Sequence, residues 1–470
     1  MLYLKCFIIL KACLKKIIIY ICLKEVERFN LKKNLILKAF ALTLSLSLFS
    51  PLSMASYAAS NSAKPKTETS SENLPNIKAE AALTMDLETG EIIYCKDADS
   101  KRYPASTTKL LTGLLLAESK DKADQLEYTK SAKEQPEYSL NLNYMHNTMQ
   151  PGDKVTADDI MKGLLLFSGN DTAYVIADNI SGDAKSFAEL MNKKAKELGA
   201  NNSNFVTANG LHDPNHYTTA YDLSLIMKAA FANPWERETM ELQTAPIDLN
   251  NSRIILENRN LTLGKNGNIA GKTGTTNEAG GCLVTVYDRD GRQLIGVVLK
   301  SRQIDNADMT KFNDMDAIMD YSYGAKKEVY KANGESVGTA DVKYKPFILF
   351  GPTKTISVPI KLTQDVNYYK NAINDSESQI AYKGTDSTAW SLLFNKNTKL
   401  TYSTRNHSEE VTGSVDISLG SIIKDNLIIY ISTLVGLAII VTLIALIKNA
   451  ASNSRRKNKN YYSRSNRRRR

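Results

Sequence analysis

The chain has 470 residues, of which 43% are hydrophobic, and a formal net charge of +10. It has room for two domains and for segments at both ends. The positive charge is concentrated at the termini: residues 448–470 contain ten Lys or Arg and no Asp or Glu, and residues 1–38 contain nine Lys or Arg against two Glu. The mildly acidic body between them does not support a nucleic-acid-binding role, and no Gly-rich phosphate loop or dinucleotide fingerprint is visible.

The N-terminal region predicts export from the cytoplasm. Three lysines within residues 32–38 precede an apolar stretch, residues 39–49, which is followed by small residues. This is the pattern of a secretory signal peptide, with cleavage expected near Ala55 or Ala58. We therefore assign residues 1–58 to a signal peptide with an N-terminal extension.

The first 30 residues are long for a signal peptide. Their apolar run, residues 17–23, is far too short to span a bilayer. We interpret them as an upstream extension of the reading frame or a long positively charged n-region. Residues 59–77, rich in Ser, Thr, Pro and Lys, are predicted to be a flexible linker.

The body of the chain opens with a predicted hairpin and a candidate nucleophile. Residues 81–87 and 91–94 flank a Glu-Thr-Gly turn, which predicts the first two strands of a sheet. Ser106 follows, just ahead of residues 107–119, whose apolar residues recur at helical spacing. Ser106 is thus predicted at the N-terminus of a helix, where free backbone N–H groups could stabilise an oxyanion.

Lys109 lies three residues after Ser106 and should share its face of the helix. A hydroxyl becomes a good nucleophile only when a base removes its proton. A neutral lysine amine can be that base if burial or a second cation, for which Lys272 is a candidate, lowers its pKa. On this string alone, a capping serine and a solvated surface lysine are the better explanation, and the catalytic interpretation depends on the two further strings.

A second string, Ser168-Gly-Asn170, lies between an apolar run, residues 160–167, and a helical pattern, residues 172–179. It is predicted to be a tight connection between two helices. From such a connection a hydroxyl and an amide can face a cleft, although Ser-Gly-Asn is also an ordinary turn sequence.

A third string, Lys272-Thr-Gly274, opens a strand-rich stretch. Residues 281–288 and 293–300 alternate or run apolar, and the Asp-Gly pair at 290–291 is a strong hairpin turn. Lys272 should therefore lie on or beside a sheet strand. Gly274 would allow a substrate backbone to approach closely.

The histidines argue against two other kinds of site. The four are His146, His212, His216 and His407, and none is placed by sequence for a Ser-His-Asp triad. His212 and His216 have the spacing of a zinc pair, but Pro214 lies between them, so no helix would align them. We predict no metal site.

Cysteine usage gives no disulfide framework. Three of the five cysteines lie in the first 22 residues, and the body keeps Cys95 and Cys282. A disulfide between these two remains open, but Cys282 in an apolar strand is better explained as a small core residue.

The C-terminal third predicts a second domain and an anchor. Residues 330–415 contain short strand patterns with little helical signal, at 347–349, 355–362 and 379–382. After a linker, residues 416–426, residues 427–447 carry no charge and are long enough for a membrane-spanning helix. The basic tail, residues 448–470, favours a cytoplasmic C-terminus and places the body of the chain outside.

The three strings together, in this order, form the motif set of penicillin-binding proteins and class A β-lactamases. Over roughly residues 78–415 the chain resembles the serine D-Ala-D-Ala carboxypeptidases, which are low-molecular-mass penicillin-binding proteins. Further pieces share the resemblance: Tyr103-Pro-Ala105, Asn209-Gly-Leu-His212, Thr218-Thr-Ala-Tyr-Asp222, Asn258-Arg-Asn260, Glu278-Ala-Gly280 and Cys282-Leu-Val284.

The resemblance implies an α/β fold. The catalytic domain, residues 78–329, would be β-lactamase/transpeptidase-like, with an antiparallel sheet flanked by helices and a helical lobe holding Ser168. Residues 330–415 would form a small all-β domain, most simply a stalk, followed by the C-terminal transmembrane helix. Relatives often carry only an amphipathic C-terminal helix, so a full span would be a departure.

The resemblance also implies catalytic roles. Ser106 would attack the carbonyl of the penultimate D-alanine and become acylated, and Lys109 would take its proton. Ser168 would relay a proton to the leaving D-alanine with the help of Lys272. Asn170 would hold the substrate amide and position Lys109.

The remaining roles concern binding. Thr273 and Lys272 would bind the terminal carboxylate, and the N–H groups of Ser106 and Thr275 would form the oxyanion hole. Arg259 is a weaker candidate for active-site contacts. The partners implied are the peptidoglycan stem peptide, β-lactam inhibitors and, through the C-terminal helix, the cytoplasmic membrane; no cofactor, metal or nucleic acid is implied.

Three functions fit these residues. The first is a D-Ala-D-Ala carboxypeptidase that removes the terminal D-alanine from stem pentapeptides. The second is a DD-transpeptidase or endopeptidase, since the strings do not say whether water or an amine is the acceptor. The third is a non-catalytic penicillin-binding sensor, against which the intact Ser106, Lys109, Ser168 and Lys272 argue. A β-lactamase is less favoured, because no convincing class A deacylation motif lies between Ser168 and Lys272.

Overall fold

The computed structural model describes the chain from residue 74 to residue 467, except for residues 144–148, 251, 306 and 385–386, with side chains described up to residue 456. The predicted signal peptide lies outside the described residues, as does most of the linker at 59–77. Both therefore remain predictions.

The described strands and helices are numbered in chain order. The strands are β1 Ala81–Asp86, β2 Ile92–Lys96, β3 Gln125–Glu127, β4 Lys154–Thr156, β5 Thr244–Leu249, β6 Ser252–Glu257, β7 Asn268–Thr276, β8 Gly280–Arg289, β9 Arg292–Ser301, β10 Glu328–Lys331, β11 Ser336–Tyr344, β12 Lys354–Leu362, β13 Val366–Tyr368, β14 Gln379–Tyr382, β15 Asn397–Ser403 and β16 Ser408–Val415. The α-helices are α1 Lys109–Ser119, α2 Lys130–Lys133, α3 Ala157–Lys162, α4 Asn170–Ser181, α5 Ala184–Glu197, α6 Ala220–Ala232, α7 Pro234–Glu241, α8 Thr310–Gly324, α9 Ala372–Glu377, α10 Ala389–Leu392 and α11 Leu419–Arg467.

The first sheet has five antiparallel strands in the order β2-β1-β9-β8-β7. The predicted hairpins β1–β2 and β8–β9 are both confirmed. Asp290 and Gly291, between β8 and β9, have φ angles of 54° and 83°, as the favoured two-residue hairpin turn requires. Because β7 is an edge strand, one of its sides is free to meet other parts of the chain.

Successive residues of a strand point to opposite faces of the sheet, and this sheet is buried on both. On β1, Leu83 and Met85 belong to the core that includes helix α6 and the helical lobe. Ala82 belongs to the core on the other face, where Phe312 and Met315 of helix α8 pack. This confirms the predicted antiparallel sheet between helical layers.

The C-terminal part has its own sheet, in the order β11-β12-β16-β15-β14, and its own hydrophobic core. Two short helices, α9 and α10, accompany this sheet, so the part is not made of strands alone. The strand predicted at residues 347–349 is wrong. These residues lie at the tip of the β11–β12 hairpin, where Pro346 and Gly351 on either side favour a turn over a continuing strand.

Polar contacts join the two sheets into one body. Arg405 of the C-terminal part pairs with Asp99 of the first part, and also with Glu377 of its own part. Its guanidinium lies 4.8 Å from the ring centre of Tyr221. Asn374 donates a hydrogen bond to the carbonyl of Ile92 at 2.8 Å. The C-terminal part is therefore held against the β2 side of the first sheet.

Helix α11 leaves this C-terminal part. Within the part of the chain that the structure describes, it is the one helix long and apolar enough to cross a membrane. It contains the uncharged stretch 427–447, whose large apolar side chains are exposed or half-buried.

We expect Arg405→Ala to loosen the joint between the two parts. The change leaves the carboxylates of Glu377 and Asp99 without their cation, which should cost about 1–2 kcal/mol at this half-buried site. The measurement is the midpoint of thermal unfolding. Arg253→Ala, which removes an exposed ion pair to Asp248 at 3.9 Å, is the matched control and should change the midpoint little. Equal shifts in the two variants would contradict the assignment of Arg405 to the joint.

Candidate active site

Ser106 lies in a short 3-10 helix, Ala105–Thr108, which leads directly into α1 at Lys109. It therefore lies at the start of the helical segment, as predicted, although this first turn is 3-10 and not α-helical. The side chain of Thr107 donates a hydrogen bond to the carbonyl of Pro104 at 2.7 Å and fixes this turn. A 3-10 helix has three residues per turn, so side chains three apart lie directly above one another. The turn therefore aligns Ser106 with Lys109 more closely than an α-helix would.

Lys109 is fully buried and its amine has three partners. Nζ lies 3.0 Å from Oγ of Ser106, 2.8 Å from Oδ1 of Asn170 and 2.7 Å from the carbonyl oxygen of Asn209. The two carbonyl oxygens can only accept hydrogen bonds, whereas the hydroxyl can also donate. A neutral amine would give its two N–H groups to the carbonyls and leave its lone pair facing the hydroxyl of Ser106.

Burial lowers the pKa of Lys109 from 10.5 to about 7. The negative charge of Asp171 opposes this decrease, and the positive charge of Arg259 adds to it. Arg259 is thus a cation near Lys109 to which the sequence did not assign this effect. The cation expected from the sequence, Lys272, also interacts with Lys109, because the charge of Lys109 lowers the pKa of Lys272. Near neutral pH the amine can therefore hold or release a proton.

Ser168 and Lys272 form a second buried pair. The backbone of Ser168 has φ 73° after a π-helical turn, Gly163–Phe167, and leads into helix α4. This confirms the predicted tight connection. Lys272 donates to Oγ of Ser168 at 2.9 Å and to the carbonyl of Thr273 at 3.0 Å. Burial, followed by the nearby positive charges of Lys109 and other cations, lowers the pKa of Lys272 well below its usual value.

Asp171 ties the helical lobe together behind this pair. Its buried carboxylate accepts the backbone N–H groups of Leu142, Asn143 and Thr172 at 2.9–3.0 Å. Burial raises the pKa of Asp171, and these N–H groups oppose the increase. The carboxylate therefore fixes the turn that carries Asn170.

Strand β7 brings the third string against the nucleophile turn. A Cβ on Gly274 would lie 2.9 Å from the carbonyl of Pro104 and 3.0 Å from the amide nitrogen of Ser106. The close approach predicted at Gly274 is thus made by the chain's own turn. The absence of a side chain lets the edge strand lie beside the backbone of the nucleophile.

The side chains next to Gly274 line the same region. Thr273 is buried, and Oγ1 of Thr275 accepts a hydrogen bond from Lys311 at 3.1 Å. Lys311 lies on helix α8 and was not found by sequence reasoning, because no motif links it to the third string. Burial lowers its pKa, and the positive charge of Arg259 adds to this effect.

The loop that supplies the carbonyl of Asn209 is a second feature that sequence reasoning did not assign to catalysis. Its only signal was the Asn-Gly-Leu-His string. Gly210 has φ +81°, and a Cβ there would lie 1.9 Å from the carbonyl oxygen of Ala105. The loop is thus in backbone contact with the nucleophile turn.

His216 supports the same turn from behind. Nδ1 accepts the backbone N–H groups of Val206 at 3.0 Å and Thr207 at 3.2 Å. Nε2 therefore carries the proton and donates to Oγ1 of Thr108 at 2.9 Å. Burial lowers the pKa of His216 to about 4, so the ring stays neutral. It thereby holds Thr108, which precedes Lys109 in the chain, in place. His212 instead packs edge-on against Tyr103, with ring centres 4.7 Å apart.

Among the described residues there is no cluster of three His, Cys, Asp or Glu side chains that could hold a metal ion. Cys95 and Cys282 are free thiols, and Cys282 is buried. This resolves the open disulfide question and confirms Cys282 as a core residue.

The site consists of the half-buried Ser106 with the buried amine of Lys109, a second, buried Ser-Lys pair and an edge strand beside the nucleophile. Residues 66–303 match the sequence profile of the family described as D-alanyl-D-alanine carboxypeptidase. The chain belongs to this family. The match contains all three strings found in the sequence.

Individual D-alanyl-D-alanine carboxypeptidases are also similar to this chain. The carboxypeptidase DacF of Bacillus subtilis is 30% identical over 319 residues, which are 66% of this chain and 80% of DacF. DacC of Escherichia coli is 32% identical over 257 residues, and the chain spans 62% of its length. The carboxypeptidase of Streptomyces strain K15 is also 32% identical, over 53% of this chain and 88% of the relative.

Solved structures give the same fold. A penicillin-binding protein homologue from Mycobacterium tuberculosis superposes with a TM-score of 0.50 and 26% identity, over 55% of this chain and 95% of the homologue. A D-alanyl-D-alanine carboxypeptidase from the same organism gives a TM-score of 0.50 and 27% identity, over the same shares of the two chains. The fold is therefore the penicillin-binding, transpeptidase-like α/β fold.

We expect Gly210→Ala to disturb the site through its backbone. Any non-glycine residue at a positive φ costs about 1 kcal/mol, and here the new Cβ would also collide with Ala105. Gly182→Ala is the matched control, because Gly182 has φ +83° and no atom within 4 Å of the added Cβ. Thermal unfolding and D-alanine release should both suffer in Gly210→Ala, and the control should lose only the smaller amount of stability. Identical behaviour of the two variants would show that the contact with the nucleophile turn is unimportant.

Proposed function

We propose that this chain is a serine D-Ala-D-Ala carboxypeptidase, anchored in the cytoplasmic membrane, that removes the terminal D-alanine from peptidoglycan stem pentapeptides. The observation that carries the proposal is the buried amine of Lys109, with two carbonyl oxygens as partners and the hydroxyl of Ser106 as the third. This arrangement supports proton transfer from a serine nucleophile.

In the acylation step, Oγ of Ser106 attacks the carbonyl carbon of the penultimate D-alanine while Lys109 takes the hydroxyl proton. The negative charge then develops on the carbonyl oxygen. The backbone N–H groups of Ser106 and Thr275 are the proposed donors to this oxyanion. The contact between β7 and the nucleophile turn at Gly274 supports this pairing.

Breakdown of the tetrahedral intermediate expels D-alanine, whose nitrogen must gain a proton. Ser168 is the proposed donor, and Lys272, 2.9 Å from its oxygen, replaces that proton. Thr273 and Lys272 bind the terminal carboxylate, and Asn170 holds the substrate amide. Arg259 acts by charge, since it lowers the pKa of Lys109 and Lys272. Before deacylation, the proton that Lys109 took from Ser106 must pass to the Ser168–Lys272 pair, which lost one to the leaving D-alanine. Lys109 is then neutral again, so it can accept the proton of the water that hydrolyses the acyl-enzyme and return it to Oγ of Ser106.

The same chemistry explains an expected reaction with β-lactams, which mimic the D-Ala-D-Ala end and would acylate Ser106. In the proposed topology, residues 427–447 span the membrane, the basic tail at 448–470 is cytoplasmic and the catalytic domain, residues 78–329, faces the cell wall. Residues 330–415 act as a stalk, and residues 416–426 link it to the span.

The experiment that tests the proposal is D-alanine release from a pentapeptide ending in D-Ala-D-Ala, with and without an amine acceptor. We expect one D-alanine and a tetrapeptide product. Ser106→Ala should lower the rate by about three orders of magnitude or more and abolish covalent labelling by penicillin. Ser119→Ala, an exposed serine at the end of helix α1, is the control and should leave both unchanged.

Other outcomes of this experiment separate the alternatives. An amine-linked product would favour a transpeptidase. Penicillin labelling without turnover would favour a sensor. Labelling that persists in Ser106→Ala would overturn the assignment of the nucleophile.

We also expect acylation to depend on pH through Lys109. Only the neutral amine can accept the serine proton, so the acylation rate should fall about tenfold per pH unit below the pKa of about 7 and reach a plateau above it. Stopped-flow labelling with a fluorescent penicillin measures this profile. Because the charge of Arg259 lowers this pKa, Arg259→Gln should move the inflection to higher pH. A flat profile around neutral pH would contradict the proposed base.

A further inference from the structure

The tip of the β11–β12 hairpin exposes four consecutive large apolar residues, which we call the apolar tip. Phe347, Ile348, Leu349 and Phe350 have exposed fractions of 40%, 62%, 72% and 74%. Scattered apolar residues on a surface need no explanation, but a contiguous exposed patch marks an interaction site. Ile348 also has φ 62°, a conformation that a β-branched residue rarely adopts.

The apolar tip lies directly beside helix α11. The hydroxyl of Tyr430 donates to the carbonyl of Pro346 at 2.8 Å, and the rings of Phe347 and Tyr430 meet edge-to-face with centres 5.4 Å apart. Tyr430 is the fourth residue of the uncharged stretch 427–447. The tip of the hairpin therefore lies beside the first turn of the apolar stretch.

Polar contacts one turn earlier fix the hairpin against the helix. Lys354, at the start of β12, pairs with Asp425 at 2.8 Å and donates to Oδ1 of Asn426 at 3.0 Å. The side chain of Asn426 is buried and donates to the hydroxyl of Tyr344 at 2.7 Å. These contacts hold the apolar tip at a fixed position along helix α11, beside the first turn of the apolar stretch.

The chemistry of the hairpin matches the boundary of a bilayer. A stretch of 21 helical residues is about 31 Å long, close to the roughly 30 Å of a bilayer's hydrocarbon core, so Tyr430 would lie about 5 Å inside the outer edge. Lys345 and Lys354 flank the tip, and no Asp or Glu lies between them. Lys354 is paired with Asp425, which leaves Lys345 as the flanking cation for anionic headgroups. Apolar and aromatic side chains beside such a lysine suit the headgroup–acyl boundary of a membrane.

We propose that the apolar tip inserts into the outer leaflet beside the span, as a second contact between this protein and the membrane. A single helix leaves the domain free to tilt and rotate, whereas two contacts fix its orientation. Since Arg405 and Asn374 hold the C-terminal part against the first sheet, the orientation of the active-site cleft is fixed as well. This inference rests on the membrane anchoring in the proposed function.

The test uses the full-length protein in lipid nanodiscs, with tryptophans as depth probes. Leu349→Trp places the probe on the tip, where the exposed site tolerates a larger side chain. Leu437→Trp places it in the middle of the span, and Ile255→Trp places it on exposed strand β6 as the matched control. Emission is compared between ordinary lipids and lipids brominated on their acyl chains, after subtraction of the parent protein with its native Trp235 and Trp390.

We expect Leu349→Trp and Leu437→Trp to emit at shorter wavelength and to lose most of their emission in brominated lipid, and Ile255→Trp to do neither. Quenching of Leu437→Trp without quenching of Leu349→Trp would overturn the inference and leave the anchor intact. An unquenched Leu437→Trp would overturn both. Blue-shifted emission of Leu349→Trp that bromine does not quench would mean a protein occupant and would also overturn the inference. D-alanine release by the same samples separates these results from a failure of the catalytic proposal.

Discussion

The structure of the site depends on the burial of one lysine amine. Taking Lys109 out of water disfavours its charged form, and a pKa of about 7 in place of 10.5 corresponds to about 5 kcal/mol between the two forms. The carbonyl oxygens of Asn170 and Asn209 accept its N–H groups and keep the buried amine satisfied. The third position around the amine nitrogen faces the hydroxyl of Ser106. The loss of hydration that makes a charged lysine costly to bury therefore also makes this amine a base near neutral pH.

The surrounding residues shield this amine from water and fix its orientation. The 3-10 turn aligns the serine with the lysine, Asp171 fixes the turn that carries Asn170, and His216 holds Thr108 from behind. The edge strand β7 closes the other side and can do so only because Gly274 lacks a side chain. Each of these supports comes from a different segment of the chain, which explains why the helical lobe and the sheet must pack in one arrangement.

Much of this arrangement could be predicted from sequence, because local patterns specify it. Alternating apolar residues and the Asp-Gly turn predicted the β8–β9 hairpin, and the three strings predicted the residues of the cleft. Sequence could not predict that the charge of Arg259 adds to the effect of burial on the pKa of Lys109, since this depends on distances across the fold. Nor could sequence identify the backbone carbonyl of Asn209 or the side chain of Lys311 as parts of the site. The apolar residues 347–349 have the composition of a strand, but in the structure they form the turn between β11 and β12.

The most direct test of this account is the titration of the Lys109 amine itself. Heteronuclear NMR of the full-length protein with ¹³C,¹⁵N-labelled lysine would follow its signal, assigned by its loss in Lys109→Arg and distinguished from Lys272 by Lys272→Arg. We predict that Lys109 titrates near pH 7. A titration near the ordinary lysine value of 10.5 would mean that the amine stays charged at neutral pH, and it would contradict the role of Lys109 as the base that activates Ser106.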